Sequence, residues 1–191
     1  MITKNLYIIA GCNGAGKTTA SYNILPTILN CKEFVNADEI AKGLSPFQPE
    51  RVSFQAGRIM LHRIDELLQK NIDFAFETTL ATKSFSNTVK KAQLQGYTVT
   101  LLFFWLNSVA LAKQRVALRV SEGGHDIPQD VIERRYHRGI KNLFDIYVPI
   151  CDNVMVFDNS DKLPLLIFNK TKNADLEISN SSRFNLMQNG I

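Results

Sequence analysis

The chain has 191 residues, 45% of them hydrophobic, and a formal net charge of +4. This length suits one domain with a sizeable core, and the modest charge lacks the concentrated basic stripe that is typical of nucleic-acid-binding proteins. No apolar run approaches the roughly 18 residues of a membrane span, and the N-terminus shows no signal-peptide pattern. We therefore expect a cytoplasmic protein that binds phosphorylated small molecules, with neither a membrane nor nucleic acid as a partner.

The first predicted element is an apolar strand over residues 6–10, and a glycine-rich stretch follows it directly. Residues 11–18 match the phosphate-binding pattern G-x-x-x-x-G-K-[ST] at every fixed position. Glycines let backbone N–H groups approach a phosphate closely, and the following helix directs its positive end at the same anion. We expect ATP and Mg²⁺ as ligands, with Lys17 on the β- and γ-phosphates and the Thr18 hydroxyl on the metal. The predicted nucleotide-binding residues are Gly11, Asn13, Gly14, Ala15, Gly16, Lys17, Thr18 and Thr19.

Strands and helices alternate along the rest of the chain. After a helix that Pro26 should end or kink, apolar strands are predicted at residues 33–36, 74–76, 97–106, 153–157 and 165–168. Helices are predicted at 49–70, 84–95, 108–120 and from Pro128 onward. This alternation predicts an α/β fold with a mostly parallel sheet and helices on both faces. From residue 171 the chain is polar and rich in Asn and Ser, so we expect only peripheral structure there.

Two carboxylates follow predicted strands, at the sheet edge where ligands gather in open parallel sheets. Asp38 follows the strand at 33–36, and it is either a helix cap or the general base that takes a proton from an acceptor hydroxyl. Glu77 ends the strand at 74–76. Three roles are open to it: holding Mg²⁺ through water, binding substrate hydroxyls, or capping the next helix.

Several arginines fall within residues 113–138, a stretch that can close over the site as a lid. Arg115 and Arg119 are four residues apart and share a helical face, and phosphoryl transfer needs cations on the transferring group. They are the preferred clamp, with Arg134 and Arg135 next. His125, in the sequence Gly-Gly-His-Asp, is either a loop histidine or a substrate ligand.

Together these motifs resemble the zeta toxin family of phosphate-loop kinases, particularly its short stand-alone members. The similarity covers roughly residues 7–160. It includes the phosphate loop, Asn-Ala-Asp-Glu-Ile-Ala at 36–41, Phe-Glu-Thr-Thr-Leu at 76–80, Gly-Gly-His-Asp-Ile-Pro at 123–128 and Asp-Asn-Ser at 158–160. The resemblance implies a three-layer α/β/α kinase fold with a mostly parallel sheet of about five to six strands and a helical lid. Residues 1–170 would be the kinase domain, with the lid at about 113–138, and 171–191 a polar tail.

The resemblance also implies an activity. Family members of the toxin–antitoxin type phosphorylate UDP-N-acetylglucosamine on a sugar hydroxyl. The function implied here is ATP-dependent transfer of the γ-phosphoryl group to a hydroxyl of a small acceptor, with a UDP-N-acetylhexosamine as the candidate acceptor and an antitoxin as the candidate protein partner. By similarity, Asp38 is the general base, Glu77 and Thr79 bind the acceptor, and Asn159 contacts the nucleotide. The predicted catalytic residues are Lys17, Asp38, Arg115 and Arg119, and the predicted substrate-binding residues are Asp38, Glu77, Thr79, His125, Arg134 and Arg135.

Two other classes of function stay open. One is a regulatory GTPase-like switch, although Lys172 stands where the guanine-reading pattern N-K-x-D, begun by Asn169 and Lys170, requires an aspartate. The other is a nucleotide-binding protein that works through a partner, or a kinase that acts on nucleic-acid ends. Salt-dependent binding to oligonucleotides would distinguish that last activity from a small-molecule kinase.

Overall fold

A computed structural model of the chain describes residues 4–124 and 126–190. The strands are β1 (Lys4–Gly11), β2 (Glu33–Val35), β3 (Phe74–Thr78), β4 (Tyr97–Trp105), β5 (Asn153–Asp158), β6 (Leu165–Lys170) and β7 (Glu177–Ile178). Within the described residues they form one sheet in the order β2-β3-β1-β4-β5-β6-β7. The pairs from β2 to β5 are parallel, and β6 and β7 are antiparallel. The sheet is therefore mostly parallel, and the two-residue β7 brings the expected five to six strands to seven.

The helices follow the predicted alternation with the strands. They are α1 (Lys17–Thr27), α2 (Ala37–Leu44), α3 (Ser53–Lys70), α4 (Phe85–Leu94), α5 (Val109–Ser121), α6 (Gln129–Asn142), α7 (Val148–Ile150) and α8 (Ser181–Gln188). A 3₁₀ turn (Pro49–Val52) precedes α3, and a π-helical turn (Leu143–Tyr147) joins α6 to α7. Helix α1 ends one residue after Pro26, because proline supplies no N–H for the helical ladder.

The centre of the sheet consists of β1 and β4, which pair in parallel from Lys4–Tyr97 to Gly11–Phe104. Their side chains are almost all buried, since helices cover both faces of a parallel sheet. The largest fully buried side chains include Trp105, Phe103 and Phe104, at the end of β4. This packing fixes the carboxyl ends of β1, β3, β4 and β5 at one edge, where the candidate site lies.

The segment from residue 171 onward is more closely integrated than the expected polar tail. Strand β7 pairs with β6, and α8 packs on β6 through Phe184 and Met187, the latter with no exposed surface. The Phe184 ring lies edge-on to Phe168 and Phe144, at centroid distances of 5.4 and 6.0 Å. Two apolar side chains three residues apart are enough to dock a helix whose other faces are polar. In the described part of the chain no helix is both long and apolar enough to cross a membrane.

Candidate active site

The phosphate loop connects β1 to α1 and has the glycine geometry that the pattern requires. Gly11, Gly14 and Gly16 have φ angles of +143°, +81° and +78°. A Cβ at Gly11 would lie 2.2 Å from the Phe104 carbonyl oxygen, and one at Gly16 would lie 2.7 Å from Nδ2 of Asn159. Only glycine fits at these two positions, because both the backbone conformation and the neighbouring atoms exclude a side chain.

Lys17 and Glu77 form a buried charged pair on the floor of this loop. Their side chains are 7% and 9% exposed, and Lys17 Nζ lies 3.4 Å from Glu77 Oε1. Lys17 also donates to the Cys12 carbonyl oxygen at 3.0 Å, and the Thr18 hydroxyl donates to Glu77 Oε2 at 2.8 Å. The strand register places Glu77 here, because β3 runs parallel to β1 with Glu77 opposite Ile9. Glu77 does not cap a helix, since α4 begins only at Phe85.

Asp38 is not a helix cap, so the capping interpretation of this residue is wrong. Asn36 is the N-cap of α2, and its Oδ1 accepts hydrogen bonds from Asp38 N at 2.8 Å and Glu39 N at 3.4 Å. The Asn36 Nδ2 donates to Glu77 Oε2 at 3.0 Å. The sequence carried this signal, because Asn followed three residues later by Glu is a capping pattern. Asp38 is the second residue of the helix, and its side chain is exposed.

Three cavities share Asp38 as a lining residue. The largest, about 620 Å³, extends from Lys17 and Glu77 toward α3 and is called here the acceptor cavity. A cavity of about 200 Å³ surrounds the phosphate loop and is called the phosphate cavity. A third, of about 470 Å³, lies between α2 and the end of α5. The acceptor cavity is lined by Asn13, Lys17, Asn36, Ala37, Asp38, Ser53, Phe54, Gly57, Arg58, Met60, Leu61, Glu77, Thr78, Thr79, Thr82, Ser84, Phe85 and Arg135.

The four predicted arginines have different surroundings. Arg135 lines the acceptor cavity and donates to Asn13 Oδ1 at 3.2 Å, whereas its neighbour Arg134 is exposed and lines none of the three cavities. Burial lowers the pKa of Arg135, nearby Asp38 opposes that shift, and Arg134 adds to it. Arg119 lines the phosphate cavity and the third cavity.

Arg115 and Asn159 support the loop from behind. Arg115 lines the phosphate cavity, but its guanidinium donates to the carbonyl oxygens of Asn159 at 2.9 Å and Ser160 at 2.7 Å. The side-chain amide of Asn159 donates to the Ala15 carbonyl oxygen at 2.7 Å. Asn159, which is predicted to contact the nucleotide, thus uses its side-chain amide to bind the backbone of the phosphate loop.

The remaining predicted residues are Thr19, which lines the phosphate cavity, Thr79, which lines the acceptor cavity, and His125, which lies outside the described residues. Within the loop, burial raises the pKa of the Cys12 thiol to about 11, so this cysteine stays neutral.

Sequence reasoning missed Asn36 as a site residue, and it missed the α3 wall of Phe54 and Arg58. Nothing in α3 distinguishes these two from ordinary surface residues until the helix is placed opposite Thr79.

The model of the zeta toxin family matches residues 2–171, nearly the whole chain. The chain belongs to the zeta toxin family. With its phosphate loop and mostly parallel sheet, this zeta toxin family member is a phosphate-loop kinase.

Several known proteins are similar to this family member. An uncharacterized protein of Haemophilus influenzae is 29% identical over 144 residues, which cover 71% of this chain and 100% of that protein. Among solved structures, the AvrRxo1-ORF1:AvrRxo1-ORF2 complex with sulphate ions gives a TM-score of 0.77 at 15% identity. It covers 97% of this chain, which spans 63% of the matched one. The PezAT chromosomal toxin–antitoxin system of Streptococcus pneumoniae gives 0.66 at 14% identity, covering 100% of this chain and 85% of that one. At such low identities these two structures show the shared fold.

Proposed function

We propose that this zeta toxin family kinase transfers the γ-phosphoryl group of ATP to a hydroxyl group of a small acceptor. The observation that carries the proposal is the position of Asp38, which lines both the phosphate cavity and the acceptor cavity. A carboxylate between a triphosphate site and an acceptor site can remove the proton of the acceptor hydroxyl while the acceptor oxygen attacks the γ-phosphorus.

In the proposed transfer, one bond to the γ-phosphorus forms and another breaks. The Asp38 carboxylate takes the proton of the acceptor hydroxyl, and the acceptor oxygen forms a bond to the γ-phosphorus. The bond from that phosphorus to the β,γ-bridging oxygen breaks, and ADP leaves with the electron pair. Lys17 neutralises charge on the β- and γ-phosphates after it exchanges its contact with Glu77 for the phosphate oxygens. Arg119, in the phosphate cavity, and Arg135, in the acceptor cavity, supply positive charge to the transferring group. Arg115 also lines the phosphate cavity while it donates to the Asn159 carbonyl oxygen.

The side chains fit a Mg²⁺ ion bound together with the nucleotide. The Thr18 hydroxyl and the Glu77 carboxylate are 2.8 Å apart beside the phosphate cavity. No cluster of three or more His, Cys, Asp and Glu side chains that could hold a metal lies within residues 4–124 and 126–190. Mg²⁺ commonly binds through one or two protein oxygens together with phosphates and water, so two protein oxygens are enough for such a site. When bound, the ion supplies positive charge to the β- and γ-phosphates.

The walls of the acceptor cavity suit an acceptor with an apolar or aromatic part and an anionic part. Phe54, Leu61 and Phe85 supply apolar surface, while Arg58 and Arg135 supply positive charge. A UDP-N-acetylhexosamine combines a base, a diphosphate and sugar hydroxyls, so it is the first acceptor that we propose. The proposed location is the cytoplasm, where ATP and such acceptors occur.

A protein partner is part of the proposal. Among the similar proteins, PezAT is a toxin–antitoxin system and AvrRxo1-ORF1 forms a complex with AvrRxo1-ORF2. One structure of the AvrRxo1 complex was solved with ATP. We propose that an antitoxin-like protein binds this chain and controls access to the two cavities.

The test is an assay of phosphate transfer from ATP to a panel of acceptors, with products identified by mass. The panel contains UDP-N-acetylglucosamine, UDP-N-acetylgalactosamine, free N-acetylglucosamine and an oligonucleotide with a 5′-hydroxyl end. We expect an 80-Da increase, the mass of one phosphoryl group, on a small acceptor in the presence of Mg²⁺. ATP hydrolysis that no acceptor accelerates would instead support a regulatory NTPase, and transfer to the oligonucleotide alone would identify an end kinase.

A further inference from the structure

The turn after β5 is held by a buried carboxylate. Asp158, the last residue of the strand, is 3% exposed, and its Oδ1 accepts hydrogen bonds from the backbone N–H of Ser160 at 2.9 Å and from the Ser160 hydroxyl. The Ser160 Oγ in turn accepts a hydrogen bond from Asn107 N at 2.8 Å. The Asn159 backbone N–H also donates to the Trp105 carbonyl oxygen at 2.8 Å. The turn is therefore fixed against the end of β4 by one backbone bond and, on its Ser160 side, by contacts that depend on the Asp158 carboxyl group.

This turn contacts both the phosphate loop and Arg115. The Asn159 amide donates to the carbonyl oxygen of Ala15 in the loop. The carbonyl oxygens of Asn159 and Ser160 accept hydrogen bonds from the two terminal nitrogens of Arg115. A displacement of the turn would therefore move the loop backbone and the Arg115 guanidinium together. Sub-ångström placement matters there, because charge stabilisation depends on groups that are positioned in advance.

The second oxygen of Asp158 depends on the C-terminal helix. Among the described residues, Asp158 Oδ2 accepts no hydrogen bond, and Arg183 of α8 brings its Nε to 3.2 Å from it. Arg183 is 30% exposed and also lies 3.9 Å from Asp161 Oδ2. A buried carboxylate whose cation is removed keeps an uncompensated charge and reorganises its surroundings. Arg183 is thus the charge partner of the carboxylate that holds the Ser160 side of the turn.

Helix α8 presents this arginine from a fixed position. Its N-cap Asn180 accepts a hydrogen bond from the Arg183 backbone N–H at 3.0 Å. Phe184, the next residue, packs against Phe144 and Phe168, and Met187 is fully buried. The guanidinium therefore belongs to a docked helix rather than to a mobile end of the chain.

We propose that Arg183 is a positioning residue for nucleotide binding, acting through Asp158 and the 158–160 turn on the phosphate loop and Arg115. The proposal rests on the proposed function only in requiring that the loop binds ATP. The C-terminal helix α8 would thereby influence nucleotide binding, although none of its side chains lines the three cavities. The expected signature is a change in nucleotide affinity that exceeds the change explained by lost stability.

The experiment compares the affinity of full-length variants for ATP carrying a fluorescent N-methylanthraniloyl group on its ribose, with Mg²⁺ present. Arg183→Met should raise the dissociation constant roughly three- to tenfold, and Arg183→Lys, which keeps the charge, should show a smaller increase. Asn159→Ala should weaken binding as well. Combining Arg183→Met with Asp158→Asn removes the unpaired charge and keeps an oxygen that can accept from Ser160. This double variant should return the dissociation constant to within about twofold of the wild-type value.

Tyr97→Phe is the matched control for lost stability. The Tyr97 hydroxyl donates to the Ile72 carbonyl oxygen at 3.0 Å, at the start of β4 and at the opposite end of the sheet from the site. If Arg183→Met binds the ATP derivative like the wild type, or loses affinity only as much as Tyr97→Phe does at equal loss of thermal stability, the proposal is wrong. Failure of the charge-neutral double variant to recover affinity would also overturn it. Absence of binding by the wild type would overturn the proposed function and this inference together, whereas the other two outcomes leave the function intact.

Discussion

The floor of the site and its acceptor wall meet at Asp38 but are built differently. On the floor, the Lys17 and Glu77 side chains are less than 10% exposed, and each already has hydrogen-bonding or charged partners. On the wall, Phe54 is 81% exposed, and Arg58 and Asp38 are exposed as well. The groups that we propose to act on the phosphates are thus preorganised by the core, whereas the groups that we propose to select the acceptor lie at the surface. Chemistry and selectivity should therefore respond differently to substitution.

Removal of the Lys17 charge from the floor of the site should have the largest effect on phosphate transfer. Lys17→Ala is expected to lower phosphate transfer on the order of 10³-fold or more, because the mutation removes a cation that is buried at the base of the phosphate loop. The exposed Lys90→Ala, on α4, is the matched control and should keep wild-type turnover. Steady-state kinetics and thermal unfolding of both variants check the expectation. Unchanged turnover in Lys17→Ala would contradict the whole assignment of the floor.

Asp38→Asn tests the junction between the two regions. We expect kcat to fall on the order of 10²–10³-fold with nearly unchanged affinity for ATP, since a general base acts on the acceptor side. The control is Asp130→Asn, an exposed acid in the first turn of α6. A normal kcat together with a lower unfolding temperature would assign Asp38 to helix stability instead.

Substitutions of Thr18 distinguish a role in metal binding from a role in packing on the floor of the site. Thr18→Ser keeps the hydroxyl that contacts Glu77 and should keep activity, whereas Thr18→Val keeps the shape and should lose about 10- to 100-fold. The loss should shrink as the Mg²⁺ concentration rises, because the missing ligand weakens metal affinity. Titration of activity with Mg²⁺ measures this. Equal activity of the two variants would exclude Thr18 as a metal ligand.

The smallest effect on kcat/KM is expected for the arginines of α6, and its size should depend on how deeply each side chain is buried. Arg135→Ala should reduce kcat/KM about tenfold, because this guanidinium lies in the acceptor cavity beside Asn13. Its exposed neighbour provides the matched variant, and Arg134→Ala should change kcat/KM by less than about twofold. Kinetics with the identified acceptor distinguish the two. Equal losses would show that α6 reorients on ligand binding and brings both arginines inward.

The sequence predicted the floor more completely than the wall for a physical reason. The phosphate loop, the strand before it and the strand ending at Glu77 are defined by local patterns, and parallel pairing brings strand ends to one edge whatever the details of packing. The difference between Arg134 and Arg135 has no such local origin. Adjacent residues on a helix point about 100° apart, so the inward one is selected by how α6 docks.

The C-terminal segment was underestimated for a related reason. Helix α8 buries little more than Phe184 and Met187, and its remaining residues give no helical apolar stripe that a sequence could reveal. The ion pair between Arg183 and Asp158 joins residues 25 positions apart and forms only after β6 and β7 reverse the chain direction. Contacts of this kind depend on tertiary structure and stay outside the reach of periodicity or spacing.

The side-chain amide of Asn36 links the floor and the wall of the site. Its oxygen accepts from the helix that carries Asp38, and its nitrogen donates to Glu77, so only one orientation of the amide satisfies both. Deamidation of Asn36 would keep the helix cap and replace the donor with an oxygen 3.0 Å from a carboxylate. Hydrolysis of this one amide would then convert an attraction between the two halves of the site into a repulsion.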